Sequence, residues 1–534
     1  MANMSDWELC IVILIFSGLC YLLGTKHVPP DRGDDRSTLP LASALPPKHN
    51  ITVPNMQAAW SDFVAIVGKE NVLSSDSATA AYAGSDWSSY DAPDSQRPKY
   101  VVTPATTEEV SRVVAVCHER RIPITPYSGG TSLEGHFAAT RGGICISLER
   151  MNQIIAIRKE DMDCTVQPGV GWEDLNAELA GQSLFFPPDP GPGAKIGGMI
   201  GTGCSGTNAS YYGTIREWVI NLTVVLADGT TITTRQRPRK SSAGYDLTKL
   251  LIGSEGTLGI VTEATLKLTS KPQNESVAVA SFPSIRAAAA AASALVAHGI
   301  SPAAVEILDD VSMRCLNDSG SITRHWPELP TLFFKFCGPT RAGVQEQIVQ
   351  VLRLATSSGS SSFQLARSPA EAVELWEARK QALFSVMALR RNGTERVWTT
   401  DVAVPISRLP EIVEQTKADL AANGLRAGIV GHVGDGNFHA VIVFEGGAAD
   451  GGGERQRVEA VVHRMVKRAV EMEGTVTGEH GVGLVKRDYL EHELGVGAVD
   501  LMRKIKQALD PECILNCDKV VRSEMPGKGE VSEW

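Results

Sequence analysis

From Val53 onward, short apolar runs alternate with longer stretches in which apolar residues recur every three or four positions. Short runs rich in valine and isoleucine predict β-strands, and the three-to-four spacing predicts amphipathic helices. The predicted strands are 98–103, 122–125, 163–170, 331–337, 427–433 and 437–444. The predicted helices are 107–121, 173–180, 285–298, 369–391 and 501–509. The pattern therefore predicts an α+β fold, and its character changes near Pro272.

The sequence marks the ends of several helices. Thr106 or Thr107 is typical of an N-cap, and Ser368-Pro-Ala-Glu371 has the form of a capping box with proline at the first helical position. Helix 501–509 carries its Lys and Arg residues on the face predicted to be exposed, and Asp510-Pro511 ends it.

The hydrophobic run at 9–24 contains no charged residue, but it is shorter than the roughly 20 residues of a comfortable bilayer span. Asp6 and Glu8 precede it, so it lacks the positively charged start of a secretory signal. The pattern favours a membrane anchor at 1–24, with a cleaved leader or a buried core helix as alternatives. The proline-rich stretch 25–52 is typical of a tether.

Composition and charge exclude some classes of protein. The 51 Lys and Arg residues are outnumbered by 61 Asp and Glu, and the net charge of −10 argues against a nucleic-acid partner. The ten cysteines stand singly, apart from Cys513 and Cys517, which indicates a reducing compartment. These two are either free thiols, the favoured interpretation, or a redox pair.

The glycine-rich stretch 195–213 is the most unusual part of the chain. Its bare backbone is typical of a segment that wraps a ligand, or of a long loop, and no packed helix is expected in it. The spacing Gly201-x-Gly203-x-x-Gly206 matches a dinucleotide fingerprint, but no strand leads into it and Tyr211-Tyr-Gly213 interrupts any following helix. Asp228-Gly229 predicts a hairpin turn instead of a ribose-binding strand end, so a Rossmann domain is not expected.

Two further glycine-rich turns lie at 126–135 and 240–263. Successive backbone N–H groups in the first turn suit a pyrophosphate, although a simple tight turn has the same composition. Neither turn is a P-loop, because no Gly-Lys-Ser/Thr follows. Three such turns among short strands suggest one extended ligand that is contacted along its length.

Four motifs carry a family resemblance: SGGTSLEG (128–135), FPPDPG (186–191), IGGMIGTGCSGTNASYYGTIREWV (196–219) and KSSAGYDLTKLLIGSEGTLGIVTE (240–263). Together they resemble the FAD-binding domain of the vanillyl-alcohol-oxidase family, and within it the D-lactate dehydrogenase (cytochrome) branch. The resemblance implies an FAD-binding domain at 53–271, an α+β substrate and metal domain at 272–522, and a tail at 523–534.

The resemblance also implies the cofactor contacts. The residues implied to bind FAD are Pro126, Ser128, Gly129, Gly130, Thr131, Ser132, Gly135, Pro188, Gly197, Gly198, Gly203, Ser205, Gly206, Asn208, Gly213, Glu255, Gly256, Ile260 and Val261. Relatives with covalent flavin carry a histidine at the place of Thr131, so non-covalent FAD is expected. Near the C-terminus, Asn516-Cys517-Asp518-Lys519 departs from the Asn-Pro-Gly-Lys that is usual in relatives.

Arg379 falls on the apolar stripe of the predicted helix 369–391, beside Trp376 and Leu383. Such an arginine either pairs with a structural carboxylate or clamps the carboxylate of a substrate. The resemblance favours the clamp.

His432 and His439 flank Gly434-Asp435-Gly436. A two-residue turn at Asp435-Gly436 would pair position 432 with 439 and place both imidazoles on one face. Glu479 and His480 add a carboxylate and a third imidazole, a set that suits a catalytic divalent metal with open coordination positions. The resemblance implies that His432, His439 and Glu479 bind the metal, either zinc or manganese, and that His480 is the catalytic base.

The function expected from this set is oxidation of a small D-2-hydroxy acid, D-lactate first, by an FAD-dependent dehydrogenase. Thr399 and Thr400 offer no charge for a second substrate carboxylate, which favours a monocarboxylate. The resemblance implies cytochrome c as acceptor and a mitochondrial location, with attachment to the membrane through 9–24. The alternatives are a D-2-hydroxyglutarate dehydrogenase, an oxygen-using oxidase, and a non-catalytic flavin-binding scaffold tethered to a membrane.

Overall fold

The computed structural model describes residue 7, residues 36–85, 87–320, 322–446 and 453–527, and residue 530. Across these residues, no helix combines the length and the apolar composition that a bilayer crossing requires. The predicted anchor at 9–24 lies outside the described residues.

The N-terminal half begins with a four-stranded sheet whose strands, in spatial order, are Val72–Leu73, Tyr100–Val102, Ile144–Ser147 and Ile124–Tyr127. The first pair is antiparallel and the others are parallel. Helices Val53–Val67 and Thr107–Arg120 bury their apolar faces against this sheet. The Thr106 side chain accepts a hydrogen bond from Glu109 N at 3.1 Å, which confirms the predicted N-cap.

A second, antiparallel sheet follows, with the strand order Ile154–Arg158, Asp163–Val166, Ile260–Lys267, Val219–Val225 and Thr231–Thr233. Leu184–Phe185 and Thr269–Ser270 form a separate two-stranded pair. The helices of this region are Trp172–Ala180, Ile196–Thr202, Ala209–Tyr212, Ile215–Trp218 and Leu247–Leu251, whereas Asp76–Ala80 lies between strands Val72–Leu73 and Tyr100–Val102 of the first sheet. Val225 pairs with Thr231 across Asp228 and Gly229, so the predicted hairpin is confirmed.

The expectation that the stretch 195–213 contains no packed helix is wrong. Ile196–Thr202 is helical, and Ile196, Met199 and Ile200 are buried in the core of the second sheet. These apolar residues recur at the three-to-four spacing of one helix face, and packing outweighs the low helix propensity of the glycines between them.

The C-terminal half is built on a larger sheet in which every neighbouring pair is antiparallel. Its strands, in order, are Ser362–Leu365, Asn274–Ser281, Thr331–Gly338, Ala304–Leu308, Arg426–Gly431, Asn437–Glu445 and Glu395–Thr399, and Val402–Ala403 pairs with Asn437–Glu445. Helices Ile285–Ala297, Arg341–Ser357, Leu409–Ala422 and Gly453–Glu471 pack on one face, and Asp310–Ser319 and Pro369–Met387 pack on the other. The sheet is therefore buried on both sides.

Ser368 caps helix Pro369–Met387 by accepting a hydrogen bond from Glu371 N at 3.2 Å. The predicted capping box is only half formed, because the Glu371 carboxylate accepts from Arg367 N instead of from Ser368 N. The helix ends at Met387, four residues earlier than the sequence pattern predicts.

The last helices, Leu490–Leu494 and Val496–Leu509, bring the chain back to the N-terminal half. Leu515 forms a parallel bridge with Ile124 at the edge of the first sheet. The prediction that the basic side chains of helix Val496–Leu509 are exposed is wrong for Arg503 and Lys506, which are buried. Lys506 donates to the Asp510 carboxylate and to the carbonyl groups of Thr257 and Leu515. The helix thus ties the C-terminal segment to the first half through buried charge.

Cys513 and Cys517 are free thiols, as the sequence favours. The Cys517 thiol donates to the Cys513 carbonyl oxygen at 2.9 Å. Asn516, between them, donates to the carbonyl of Glu255, so this short segment is joined to the third glycine-rich turn.

Candidate active site

A cavity of about 490 Å³ lies between the two halves of the molecule. Its wall on the N-terminal side comes from the three glycine-rich stretches of the sequence. Its wall on the C-terminal side comes from helix Pro369–Met387 and from the segments that carry the histidines. Loops supported by two packed sheets thus surround one elongated space, which is a common setting for a binding site.

Most of the residues predicted to bind the cofactor lie on the cavity wall: Pro126, Ser128, Gly129, Gly130, Thr131, Ser132, Gly197, Gly198, Gly206, Glu255, Gly256, Ile260 and Val261. Residues 126–132 comprise the carboxyl end of the parallel strand Ile124–Tyr127 and the turn after it, where ligands commonly bind in α/β sheets.

The other predicted cofactor residues do not line this cavity: Gly135, Pro188, Gly203, Ser205, Asn208 and Gly213. Gly203 and Gly213 terminate helices with positive φ. Gly135 lies against Tyr90, and Asn208 donates to the Pro187 carbonyl and to Asp189. Ser205 instead donates to Glu479 Oε2 at 2.6 Å, which links it to the predicted metal site.

The glycines on the wall keep the space open for a large group. In the described part of the chain, and apart from the backbone of the same helix and the adjacent residues, the atoms nearest to the position of a Cβ are 3.9 Å away at Gly198 and 4.0 Å away at Gly201. Any side chain at these positions would therefore fill the cavity. At Gly129, by contrast, a Cβ would meet Lys195 N at 2.9 Å, so glycine there allows two loops to approach. This bare, elongated wall fits a flavin nucleotide.

His432, His439 and Glu479 converge on one point of the wall. The Nε2 atoms of the two histidines lie 3.0 and 3.3 Å from Glu479 Oε1, and the imidazole ring centroids are 5.6 Å apart. The predicted pairing of 432 with 439 is wrong, because His439 pairs with Val430 and the strand ends at Gly431. The register differs by two residues, and an even shift keeps a side chain on the same face, so the histidines still meet.

The outer nitrogens of both histidines have acceptors that suit metal binding by the inner ones. His432 Nδ1 lies 2.8 Å from Glu306 Oε1, and His439 Nδ1 lies 2.9 Å from the Thr400 carbonyl oxygen. When Nδ1 donates to these oxygens, each Nε2 presents its lone pair to the centre of the cluster. The donor set of two imidazoles and one carboxylate fits a divalent metal such as zinc or manganese.

Burial and mutual charge set the protonation of this cluster. Burial raises the pKa of Glu479, but the two imidazoles outweigh burial and hold the pKa well below its ordinary value. Burial lowers the pKa of His432, yet Glu306 and Glu479 raise that pKa well above its ordinary value. Burial dominates at His439 and lowers its pKa. Glu479 is therefore an anion, ready to bind a cation.

His480 lies on the cavity wall beside the cluster, with its ring stacked on that of His439 at a centroid distance of 4.8 Å. Its backbone N–H donates to Asp401 Oδ2 at 3.0 Å. Burial lowers the pKa of the imidazole, but Asp401 and Glu134 raise it, and the net shift is upward. His480 can therefore hold a proton in this buried setting.

The observed position of Arg379 confirms the pairing with a structural carboxylate, and the substrate clamp stays a prediction. Its Nε and Nη2 bond to Glu306 Oε2 at 2.9 and 2.8 Å, so it pairs with a structural carboxylate. It also lies on the cavity wall, and two bonds use only part of the five N–H donors of a guanidinium.

Sequence reasoning missed two buried carboxylates of the site. Glu306 joins Arg379 to His432. The sequence feature that could have indicated its role is a single acidic residue in an otherwise apolar strand. Asp401 accepts from Thr477 Oγ1 and from the backbone N–H groups of Glu479 and His480, at 2.7 to 3.0 Å. One carboxylate thus fixes the segment that carries both a candidate metal ligand and the candidate base.

Comparison with known families defines the class of protein. Residues 98–235 match the FAD binding domain family, and residues 271–520 match the family described as FAD linked oxidases, C-terminal domain. The chain is therefore a two-domain FAD-linked oxidoreductase.

Individual relatives narrow the class. The chain is 48% identical over 448 residues to the mitochondrial D-lactate dehydrogenase [cytochrome] of Kluyveromyces lactis, which covers 83% of this chain and 77% of that protein. It is 47% identical over 496 residues to D-lactate dehydrogenase [cytochrome] 1 of Saccharomyces cerevisiae, with 91% and 84% of the two chains covered. The chain therefore belongs to the FAD-linked oxidase family that contains these mitochondrial D-lactate dehydrogenases.

A solved structure agrees on the fold. The 4-ethylphenol oxidase from Gulosibacter chungangensis superposes with a TM-score of 0.73 over 89% of this chain and 99% of that chain, at 18% identity.

Proposed function

We propose that this protein is an FAD-dependent dehydrogenase that oxidises D-lactate, or a similar small D-2-hydroxy acid, to the 2-oxo acid. The observation that carries the proposal is the shared cavity wall. The glycine-rich stretches that fit a flavin face His432, His439, Glu479, His480 and Arg379 across one space. A non-catalytic flavin-binding scaffold has no use for a buried base beside a metal cluster.

Each of these site residues has its own role in the proposed reaction. Arg379 holds the substrate carboxylate, using donors that Glu306 leaves free. His480 accepts the proton of the substrate hydroxyl, a task suited to an imidazole. When bound, FAD would supply the electron acceptor, and a divalent metal held by His432, His439 and Glu479 would supply a Lewis acid to lower the pKa of the hydroxyl.

We further propose how FAD is bound and where in the cell the protein lies. Thr131 stands where covalent relatives have histidine, which supports non-covalent FAD. The names of the yeast relatives include the words cytochrome and mitochondrial, which support a cytochrome as the acceptor and the mitochondrion as the compartment. We propose cytochrome c as that cytochrome. We also propose that residues 9–24 attach the protein to a membrane.

Anaerobic reduction of the flavin tests the proposed activity. We expect the purified protein to be yellow and to bleach when D-lactate is added without oxygen, because the electrons then remain on the flavin. L-Lactate is the matched control and should leave the spectrum unchanged. A flavin that stays oxidised with D-lactate and with every other D-2-hydroxy acid tried would contradict the proposal.

The surroundings of Thr399 indicate which acid fits the cavity. Its side chain is buried on the wall, and Oγ1 has no hydrogen-bond partner in the described part of the chain. Lys380 also lines the cavity, but it is exposed to solvent. A second carboxylate near Thr399 would thus be buried without a cation, at a cost of several kcal/mol.

We therefore expect a higher kcat/KM for D-lactate than for D-2-hydroxyglutarate. Thr399→Lys should lower the ratio of the first value to the second. Thr399→Met controls for side-chain length without adding charge, and it should not raise kcat/KM for D-2-hydroxyglutarate. A wild-type preference for hydroxyglutarate would make the substrate assignment wrong while leaving the chemistry intact.

A further inference from the structure

Glu134 is a buried carboxylate in the first glycine-rich turn, and the roles assigned above do not use it. Its neighbours Ser132 and Leu133 line the cavity, but Glu134 does not, and its side chain has no solvent exposure. An anion is unsuited to the pyrophosphate expected at this turn. Its carboxylate is buried instead on the side that meets the C-terminal half.

Three groups contact the carboxylate of Glu134. Ser89 Oγ donates to Oε2 at 3.1 Å. On the other oxygen, Oε1 lies 3.1 Å from Lys486 Nζ and 3.5 Å from His480 Nδ1. In the described part of the chain, both Glu134 Oε1 and His480 Nδ1 are buried and neither has a hydrogen bond. These two atoms are therefore suited to each other.

The main chain fixes this approach. Leu484 N donates to the carbonyl oxygen of Glu134 at 2.8 Å, and a Cβ at Gly483 would overlap that same oxygen. Glu255 accepts from Val482 N at 2.6 Å and from Gly483 N at 2.9 Å. The segment that follows His480 is thus held against the N-terminal half by backbone contacts, so the gap from Glu134 to His480 does not depend on a flexible loop.

The charged side chains around Lys486 carry one uncompensated negative charge. Lys486 Nζ lies 3.1 Å from Glu134 Oε1 and 3.5 Å from Asp401 Oδ2, and all three side chains are almost fully buried. One cation between two carboxylates has a net charge of −1. This uncompensated carboxylate charge attracts the Nδ1–H group of a neutral His480 imidazole, which lies 3.5 Å from Glu134 Oε1. The pKa of Glu134 agrees with this: burial raises it, but Lys486 and His480 outweigh burial and lower it.

We propose that Glu134 is a positioning residue, which holds the proton on His480 Nδ1 and so leaves Nε2 unprotonated to receive the hydroxyl proton of the substrate. The inference rests on the proposed role of His480 as the base. During the step, the substrate O–H bond breaks and an Nε2–H bond forms, while Nδ1 keeps its proton and Glu134 stays ionised. Glu134 thereby compensates the positive charge that develops on the imidazole, as an orienting carboxylate does in other acid–base sites.

The test is a double-mutant cycle on the rate of flavin reduction by D-lactate. Glu134→Gln keeps the size of the side chain and removes its charge, and we expect the rate to fall by about 10- to 100-fold, the usual range for loss of an outer-shell partner. KM, the flavin-to-protein ratio and the metal content should change little. In the His480→Asn background, Glu134→Gln should cost nothing further, because its effect acts through the imidazole.

Matched variants separate charge from structure. Glu134→Asp keeps the charge and should recover part of the rate. Ser89→Ala removes only the bond to Oε2, and it should cost much less than Glu134→Gln. An unchanged rate in Glu134→Gln, or a loss of equal size with and without His480, would overturn the positioning role. If His480→Asn alone has no effect, the proposed base has failed, and that result is distinct from a failure at Glu134.

Discussion

Replacement of His480 by asparagine is expected to lower kcat by about 10²–10⁴, the usual loss when a general base is removed. Asparagine keeps much of the size and some hydrogen bonding of histidine, but it cannot accept the hydroxyl proton. The His480 backbone bond to Asp401 does not depend on the side chain, so the adjacent metal ligand Glu479 should stay in place. The measurement is single-turnover reduction of the flavin by D-lactate.

The control for this variant is substrate binding. The KM of His480→Asn should change far less than its kcat, since Arg379 still holds the carboxylate. The flavin and metal contents should match those of the wild type. Reduction as fast as in the wild type would mean that another group takes the proton.

Removal of the metal is expected to abolish turnover while FAD remains bound. The two histidines and Glu479 have their donor atoms within 4.8 Å of one another, and the predicted flavin contacts come from other segments of the chain. Prolonged chelation should therefore leave the yellow colour and remove the activity, and readdition of zinc or manganese should restore it. His439→Ala should behave like the chelated protein, because it leaves only two of the three ligands.

Metal content supplies the independent readout. Elemental analysis should find about one divalent ion per chain in the wild type and a strong loss in His439→Ala. His298→Ala, at an exposed histidine after helix Ile285–Ala297, is the matched control and should keep both metal and activity. A metal-free enzyme with an unchanged kcat would rule out a catalytic metal.

Features governed by near neighbours were predictable from the sequence. Thr106 and Ser368 cap their helices because a side-chain oxygen needs only a backbone N–H three residues away. The hairpin at Asp228-Gly229 likewise depends on the turn conformation of two residues, and it excludes the dinucleotide fold that the glycine spacing alone suggested. The glycine-rich stretches pointed to the cavity wall, because bare backbone is tolerated only where something must come close.

The histidine pair shows the limit of local rules. Alternation along a strand predicted that His432 and His439 share a face, and they do, but the true register differs by two residues. Alternation determines the face of a side chain, whereas the exact partner depends on how the loop 432–436 packs between the two halves.

What the sequence by itself determined is the class of chemistry, through the glycine-rich stretches, the candidate metal ligands, the candidate base and the family that these motifs resemble. Only the tertiary structure decided how these groups are held. Glu306, Asp401 and Glu134 reach His432, Glu479 and His480 across 126, 78 and 346 residues of chain, measured as differences in residue number. No periodicity encodes such distances. A buried charge is stable only beside a counterion or hydrogen-bond donors. The contacts of Glu306 and Asp401 therefore form only when the C-terminal half has folded, and the contact of Glu134 with His480 forms only when the two halves have packed together and excluded water.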